Sequence, residues 1–236
     1  MGAPPVPTEE HSRIIRARRV VAAAEAAAKD TAARQSRANS LPKTVANITD
    51  PDSRILPTRR GFIQGYNTQV AVTGDHLIVA VDATQNPNDM ASFVPMMTAA
   101  VVAADAAHQV SGSTEHQIGV VLADAGYCSN HNLNAPGPDR LIALGKGRDH
   151  TATARHSPTA GPPPATATAR EAMAHRLRTP EGVATYKRRG ATVEPAIGTL
   201  KTILTRFSRR GLPAALSELN LAAAAFNIRK IHNSPA

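Results

Sequence analysis

The stretch that most constrains this chain is Ile118-Gly119-Val120-Val121-Leu122-Ala123, which runs into Asp124-Ala125-Gly126-Tyr127. A short apolar run without alternation predicts a strand buried on both faces. Its last residue is followed directly by a carboxylate and, two residues on, a glycine. In open α/β sheets, functional groups collect beyond the carboxyl ends of strands. Asp124 is therefore the acid best placed for chemistry.

The residues before it supply partners for such a strand. Phe62 to Val72 partly alternates, Thr73-Gly74-Asp75-His76 is turn-forming, and Leu77 to Thr84 is mostly apolar. Two such runs joined by a Gly-Asp turn predict an antiparallel hairpin. Asp82 reads as a carboxylate near the end of its second strand. Asn88 or Asp89 is suited to cap a helix from Met90 to about Val110, with Phe93, Met96, Met97, Ala100 and Val101 at helical spacing. A helix between hairpin and strand makes a crossover unit. A further short strand is expected at Arg140–Leu144, and Gly145-Lys146-Gly147 lacks the spacing of a P-loop.

Upstream, about 9–37 is Ala- and Arg-rich and predicts a solvated basic helix whose larger apolar residues stop at Val21. Residues 38–60 are turn-rich. Asp50-Pro51-Asp52-Ser53 reads as a compact turn whose side chains bond nearby backbone. Residues 149–170, rich in Thr, Ala and Pro, have too little apolar area to offset ordering entropy and read as a loop. Beyond them, Thr179-Pro180-Glu181 is a helix start. Gly190 reads as an interruption, with Thr192 capping a second helix that holds Glu194 and Pro195 in its first turn. Glu194 and Lys201, two turns apart, share a face. Phe207 to Gly211 reads as the end of that helix. A last amphipathic helix from about Pro213 to His232 uses Leu216, Leu219, Leu221, Phe226 and Ile228.

Composition decides between function classes at two points. The net charge of +9 is segregated: +5 over 1–60, −4 over 61–174 and +8 over 175–236. Basic ends around an acidic middle suit nucleic-acid binding with carboxylate chemistry between them. The single Cys128 excludes an internal disulfide framework and reads as a small half-buried side chain. No apolar run is read as approaching the roughly 20 residues that span a bilayer, and the first residues lack a signal-peptide pattern. A soluble intracellular protein, without a membrane partner, is expected.

Four segments together resemble bacterial insertion-sequence transposases of the DDE class. They are Asn47 to Arg54, Gly61 to Gln69, Ala123-Asp124-Ala125-Gly126-Tyr127, and the run from Arg176-Leu177-Arg178-Thr179-Pro180-Glu181-Gly182 through Tyr186 and Arg188-Arg189 to Val193-Glu194-Pro195. Phe207 to Gly211 and Asn227 to Lys230 fit the same ending. The resemblance covers about 40–232 in order, with 149–170 a poor fit. It implies a ribonuclease-H-like mixed sheet flanked by helices. It makes Asp124 the second acid and Glu194 the third, both holding Mg²⁺ or Mn²⁺. Tyr186, Arg188, Arg189 and Lys201 then position DNA. Here Arg189 and Glu194 are separated by one residue more than the family spacing, so Arg188 is the alternative equivalent.

The family's first acid lies in an Asp-Gly-Thr context on the first strand, and no Asp-Gly-Thr occurs here. Residues 1–40 offer only Asp30. Asp82 and Asp50 are the stand-ins, each with a simpler structural reading. The resemblance thus implies an N-terminally truncated transposase whose sheet lacks its first, central strand, and hence a marginally stable chain with an open edge. The expected organisation is an extension over 1–40, a strand-rich part of the catalytic domain over 41–148, a low-complexity loop over 149–170 and a helical part over 171–236. The expected function is metal-dependent strand cleavage and transfer on transposon ends and target DNA, reduced or lost in a fragment. A homo-oligomer and a bacterial, cytoplasmic, nucleoid-associated location follow from the same resemblance. The alternative is a non-catalytic basic DNA-binding remnant that interferes with intact transposase.

Overall fold

A computed structural model describes residues 6–35, 45–58, 61–113, 117–145 and 147–234, without the side chains of 30–35 and 147–150. It is a mixed α/β protein. In order the elements are α1 (Ser12–Gln35), β1 (Arg54–Thr58), β2 (Gly61–Gly65), β3 (Asn67–Val72), β4 (Ile78–Thr84), α2 (Phe93–Ser111), β5 (Val120–Ala123), α3 (Asn130–Asn134), β6 (Asp139–Ile142), α4 (Gly147–His156), α5 (Ala169–Arg176), α6 (Pro180–Ile203) and α7 (Leu212–His232). Among the described residues the strands form three separate two-stranded sheets, β1-β2, β3-β4 and β5-β6. Two compact units divide the chain. One comprises Met1–Asn67, Ala83–Pro87 and Arg206–Glu218; the other comprises Thr68–Asp82, Asn88–Thr205 and Leu219–Ala236.

In the first unit, Asp50-Pro51-Asp52-Ser53 forms the expected turn, with Ser53 N–H and Oγ both donating to the Asp50 carbonyl. Its carboxylates also reach the start of α7. Asp50 accepts from Gly211 N at 3.1 Å, and Asp52 accepts from Leu212 N at 3.2 Å and from Arg16 of α1 at 2.7 Å. Carboxylates here meet the otherwise unpaired N–H groups and positive end of the helix. Asp50 further accepts from Tyr66 Oη at 2.7 Å, and Tyr66 meets Phe207 edge to face at 5.9 Å. Gly211, at φ 89°, thus belongs to the entry of α7 rather than to the end of α6. The strand β1 falls in the stretch read as turns. It pairs antiparallel with β2 over Arg54↔Gly65 to Thr58↔Gly61. Pro57 sits within it, and proline is tolerated where a strand has a free edge.

In the second unit, β3 and β4 form a hairpin through a turn at 73–77, where Thr73 N–H donates to the Leu77 carbonyl; the expected first arm over 62–72 is split, because Gly61–Gly65 pairs with β1 instead. His76 takes the left-handed conformation, φ 65°, and its Nδ1 lies 3.1 Å from the Thr192 carbonyl of α6. Asn227 of α7 mimics a neighbouring strand: its Oδ1 accepts from Ile78 N and its Nδ2 donates to Ile78 O. The parallel pair β5-β6 runs in register from Val120↔Asp139 to Ala123↔Ile142. Phe93 and Met97 of α2 pack on Ala123 and Ile142, and Met173 and Leu177 pack on Leu141.

Several expectations are corrected. Strand β5 is not buried on both faces: Val120 is exposed, Val121 and Leu122 are half-buried, and only Ala123 is buried. Among the described residues it has a strand neighbour on one side alone. The C-terminal basic run is one continuous helix, α6, with Pro195 inside it. Thr192 does not cap; its hydroxyl donates to the Arg188 carbonyl. In α7 the buried stripe is Ala215, Leu219, Ala222, Ala223 and Phe226, while Leu221 and Ile228 are exposed. Within the stretch read as a loop, α4 is helical and buries Ala154. Met90–Ser111 also corrects the bilayer reading, since these 22 residues, with an 18-residue window of mean hydropathy 1.5, are by length and composition enough to span one. One side of that helix nevertheless buries Phe93, Met96, Met97 and Ala100 inside the unit.

Candidate active site

At the carboxyl end of β5 the chain turns through a short 3-10 segment, Ala125–Tyr127, started by Asp124. One carboxylate oxygen of Asp124 accepts from Gly126 N at 2.9 Å, and the side chain is otherwise exposed. This turn is held from beneath by Asn132, which is 1% exposed. Its Nδ2 donates to the carbonyls of Tyr127 and Met90, both at 2.7 Å. The buried Arg140 donates in turn to the Asn132 carbonyl at 2.9 Å. One side chain thereby joins the Asp124 turn to the start of the α2 segment.

Asp89, expected to cap that segment, has no capping hydrogen bond there. Its Oδ1 accepts instead from Nε2 of Gln69 at 2.9 Å, and Gln69 is 2% exposed. Tyr127 Oη donates to Oε1 of the same Gln69. The amide is suited to this position because it donates to one partner and accepts from another at once. The other oxygen of Asp89 turns toward Gly126. A Cβ placed on Gly126 would lie 2.8 Å from Asp89 Oδ2 and 3.0 Å from Asp124 Oδ1. A β-carbon there would press on the ends of both carboxylates, which would have to turn aside. Burial raises the Tyr127 phenol above its ordinary pKa, and the charges of Asp89 and Asp124 raise it further, against Arg189.

From α6, Tyr186 donates to the Ala123 carbonyl at 3.2 Å, and the Arg189 guanidinium lies 5.8 Å from the Tyr186 ring centroid. Burial also raises the Tyr186 phenol; Arg189 opposes this and the Asp124 charge adds to it. Arg189 Nε is buried without a hydrogen-bond partner among the described residues. Of the sequence-selected residues, Asp124, Tyr186 and Arg189 are thus brought together. Arg188 is exposed, its terminal nitrogen 3.8 Å from the Cβ position of Gly74 in the β3-β4 turn. Glu194 is exposed and folds back along its own helix, Oε1 lying 3.4 Å from the Cβ position of Gly190. Lys201 is exposed in the last turn of α6. Asp82 lies on β4, Asp30 lies in α1, and Asp50 serves the α7 entry.

The described residues hold no group of three or more His, Cys, Asp or Glu side chains able to grip a metal ion. They do hold the Asp89 and Asp124 pair around Gly126. Hard divalent ions bind carboxylate oxygens, and Mg²⁺ commonly takes one or two carboxylates while keeping water and phosphate as its other ligands. An exposed aspartate such as Asp124 is the kind of ligand that chemistry uses. Sequence reasoning missed Asp89, Gln69 and Asn132. Asn88-Asp89 was legible only as a cap, because what redirects the carboxylate is a buried amide 20 residues upstream.

Residues 153–232 match the family model described as a transposase DDE domain. No curated protein and no solved structure matches the chain. The match spans about a third of the chain and encloses Tyr186, Arg188, Arg189, Glu194 and Lys201, while Asp89 and Asp124 lie before it. This C-terminal part is similar to a transposase DDE domain, which supports a transposase-type function.

Proposed function

We propose that the chain is the later part of a bacterial insertion-sequence transposase with a ribonuclease-H-like catalytic domain, acting on DNA. The observation that carries this reading is the meeting of Asp124, Tyr186 and Arg189 at the end of β5, with Tyr186 and Arg189 inside the segment that matches a DDE domain. In this reading 41–148 and 171–236 are the two parts of the catalytic domain. Asp124 and Glu194 are its carboxylates toward Mg²⁺ or Mn²⁺. When bound, such an ion polarises a phosphoryl oxygen and activates the attacking hydroxyl. Arg189, whose buried Nε has no hydrogen-bond partner among the described residues, offers a donor to a phosphate. Tyr186 fixes the helix against the strand end, and Arg188 and Lys201 extend the basic surface along α6.

The lack of an Asp-Gly-Thr stretch supports a fragment without the family's first strand. The exposed Glu194 carboxylate lying over Gly190 of its own helix supports weak or absent cleavage, and with it the second reading as a DNA-binding remnant. Fluorescence anisotropy on duplex DNA between 50 and 200 mM salt tests the common part. Salt-sensitive, sequence-tolerant binding is expected, and Arg188→Ala with Arg189→Ala should lower the salt slope by about two. No binding at 50 mM salt refutes both readings. Mn²⁺-dependent nicking of supercoiled plasmid, abolished by Asp124→Ala, would separate the transposase from the remnant.

A further inference from the structure

From Leu219 onward α7 belongs to the second unit, and there it is apolar on two opposite sides. One side is buried through Ala222, Ala223 and Phe226, and Asn227 ties it to Ile78 of β4. At about 100° per residue, Leu221, Ala224, Ile228 and Ile231 fall in one stripe on the other side. All four are exposed, Leu221 at 72%, Ile228 at 69% and Ile231 at 62%. A helix apolar on both sides is suited to lie between two layers, and the described residues supply one. We propose that the exposed stripe docks a second copy of the chain, α7 against α7, antiparallel about a two-fold axis at the level of Phe226. The surface, the symmetry and the register are read from α7 itself and do not rest on the transposase reading.

Three observations select this occupant. First, the spacing of the stripe, three, four and three residues, reads the same in both directions. An antiparallel copy therefore sets Leu221 against the partner's Ile231 and Ala224 against the partner's Ile228. This is the self-complementarity that a two-fold interface requires. Large side chains facing small ones let the two helices approach and interdigitate. Second, charge fixes the direction. Arg229 and Lys230 lie in the last turn of α7. A parallel pair would bring these cations together, whereas an antiparallel pair sets them apart and opposes the helix dipoles. The stripe itself carries no charge, which argues against a phosphate backbone as its occupant. Third, the area suffices. Two such helices in contact over about three turns bury on the order of 1,000 Å² in total, the lower end of what a specific interface needs. A reversible dimer of micromolar affinity is expected.

The test is sedimentation velocity of the full chain from about 1 to about 100 μM, where a monomer–dimer transition should appear. Ile228→Glu changes a side chain already exposed in the monomer. It should weaken the dimer about tenfold or more and leave circular dichroism melts of the dilute chain unchanged. Screening the repulsion between two chains of net charge +9 should hold or tighten the dimer. DNA binding should instead fall as salt rises to about 0.5 M. Cysteine pairing in a Cys128→Ser background tests the register. Leu221→Cys and Ile231→Cys chains oxidised together should form a mixed disulfide dimer, and neither should cross-link alone. A chain still monomeric at about 100 μM, an Ile228→Glu dimer as tight as wild type, or cross-links from either variant alone overturns the proposal. So does a dimer lost at high salt or on nuclease treatment, which would make nucleic acid the bridge. A monomer that sediments with phosphatidylcholine vesicles, but not as Ile228→Glu, would overturn it by giving the face to a lipid surface. Absence of DNA binding with the dimer intact would instead overturn the transposase reading and leave the interface standing.

Discussion

Asn132 is the side chain on which the site's geometry most depends, and its removal has a calculable cost. It donates two hydrogen bonds of 2.7 Å, to Met90 O and Tyr127 O, from a position 1% exposed. A net contribution of about 0.5–1.5 kcal/mol per bond, plus the penalty for a carbonyl left dry, gives roughly 2–4 kcal/mol for Asn132→Ala. For a protein of this size that is a fall of roughly 5–15 °C in Tm. Asn132→Asp sharpens the test. It conserves shape but turns an acceptor toward one or both carbonyls. Burial and the facing oxygens raise the introduced carboxyl's pKa above its unfolded value of about 3.9. The folded variant then binds more protons than its unfolded chain, so its stability relative to wild type falls as pH rises. The deficit should be smallest below about pH 4 and grow toward neutrality. Urea titrations followed by circular dichroism at several pH values measure both effects. An Asn132→Ala protein within about 0.5 kcal/mol of wild type, or an Asn132→Asp deficit that does not change with pH, refutes the assignment of Asn132 as the staple of the Asp124 turn.

Two further substitutions probe the helical side of the same unit. Asp139 accepts two 2.7 Å bonds from the Arg176 guanidinium, which hold its carboxyl below the usual range. Both side chains are well exposed, so screening limits Asp139→Asn to a loss of about 0.5 kcal/mol near neutrality. That loss should be present above about pH 4, vanish as pH falls through the depressed folded value, and shrink in 1 M salt; a salt-independent loss would point to packing instead. Gly182→Ala would set a Cβ 1.8 Å from the Arg176 carbonyl, where Gly182 N is already bonded to the Thr179 cap. The α5–α6 corner must open, at about 3 kcal/mol. Gly198→Ala, in the same helix with nothing within 4 Å, should instead gain about 0.5–1 kcal/mol; equal effects of the two in thermal melts would refute the steric argument.

What the sequence disclosed depended on how local the deciding interaction is. The hairpin, the α2 core stripe, the Thr179-Pro180 start of α6 and the Asp50–Ser53 turn were legible because each is encoded within a few residues. The continuity of α6 was not. Gly190 and Thr192 carry local signals for a break, and the helix overrides them by burying Gly182, Ala196 and Leu200. The strand β1 was hidden in a stretch read as turn-rich, because its pairing with β2 is not encoded in its own residues. The half-exposed state of β5 was hidden because apolar composition reports what a strand would bury with a full complement of neighbours, not how many it has.

The site follows the same rule and leads to a narrower conclusion about the acids. Asp124 was legible because a strand end before a glycine is a local pattern with a known use. Glu194 was legible only through resemblance, and its carboxylate lies along its own helix over Gly190. Asp89 carried the wrong local signal, since Asn88-Asp89 before an apolar run reads as a cap. A capping acid is released for another task only when something else holds it, and here that holder is the amide of Gln69. Gln69 and Asn132 are both buried polar residues whose bonds converge on the turn between Asp124 and Tyr127. Burying two amides costs free energy unless every bond they make is retained in the folded chain. That two buried amides, 63 residues apart in sequence, both bond to the turn between Asp124 and Tyr127 argues that the second unit holds this strand end in a fixed geometry.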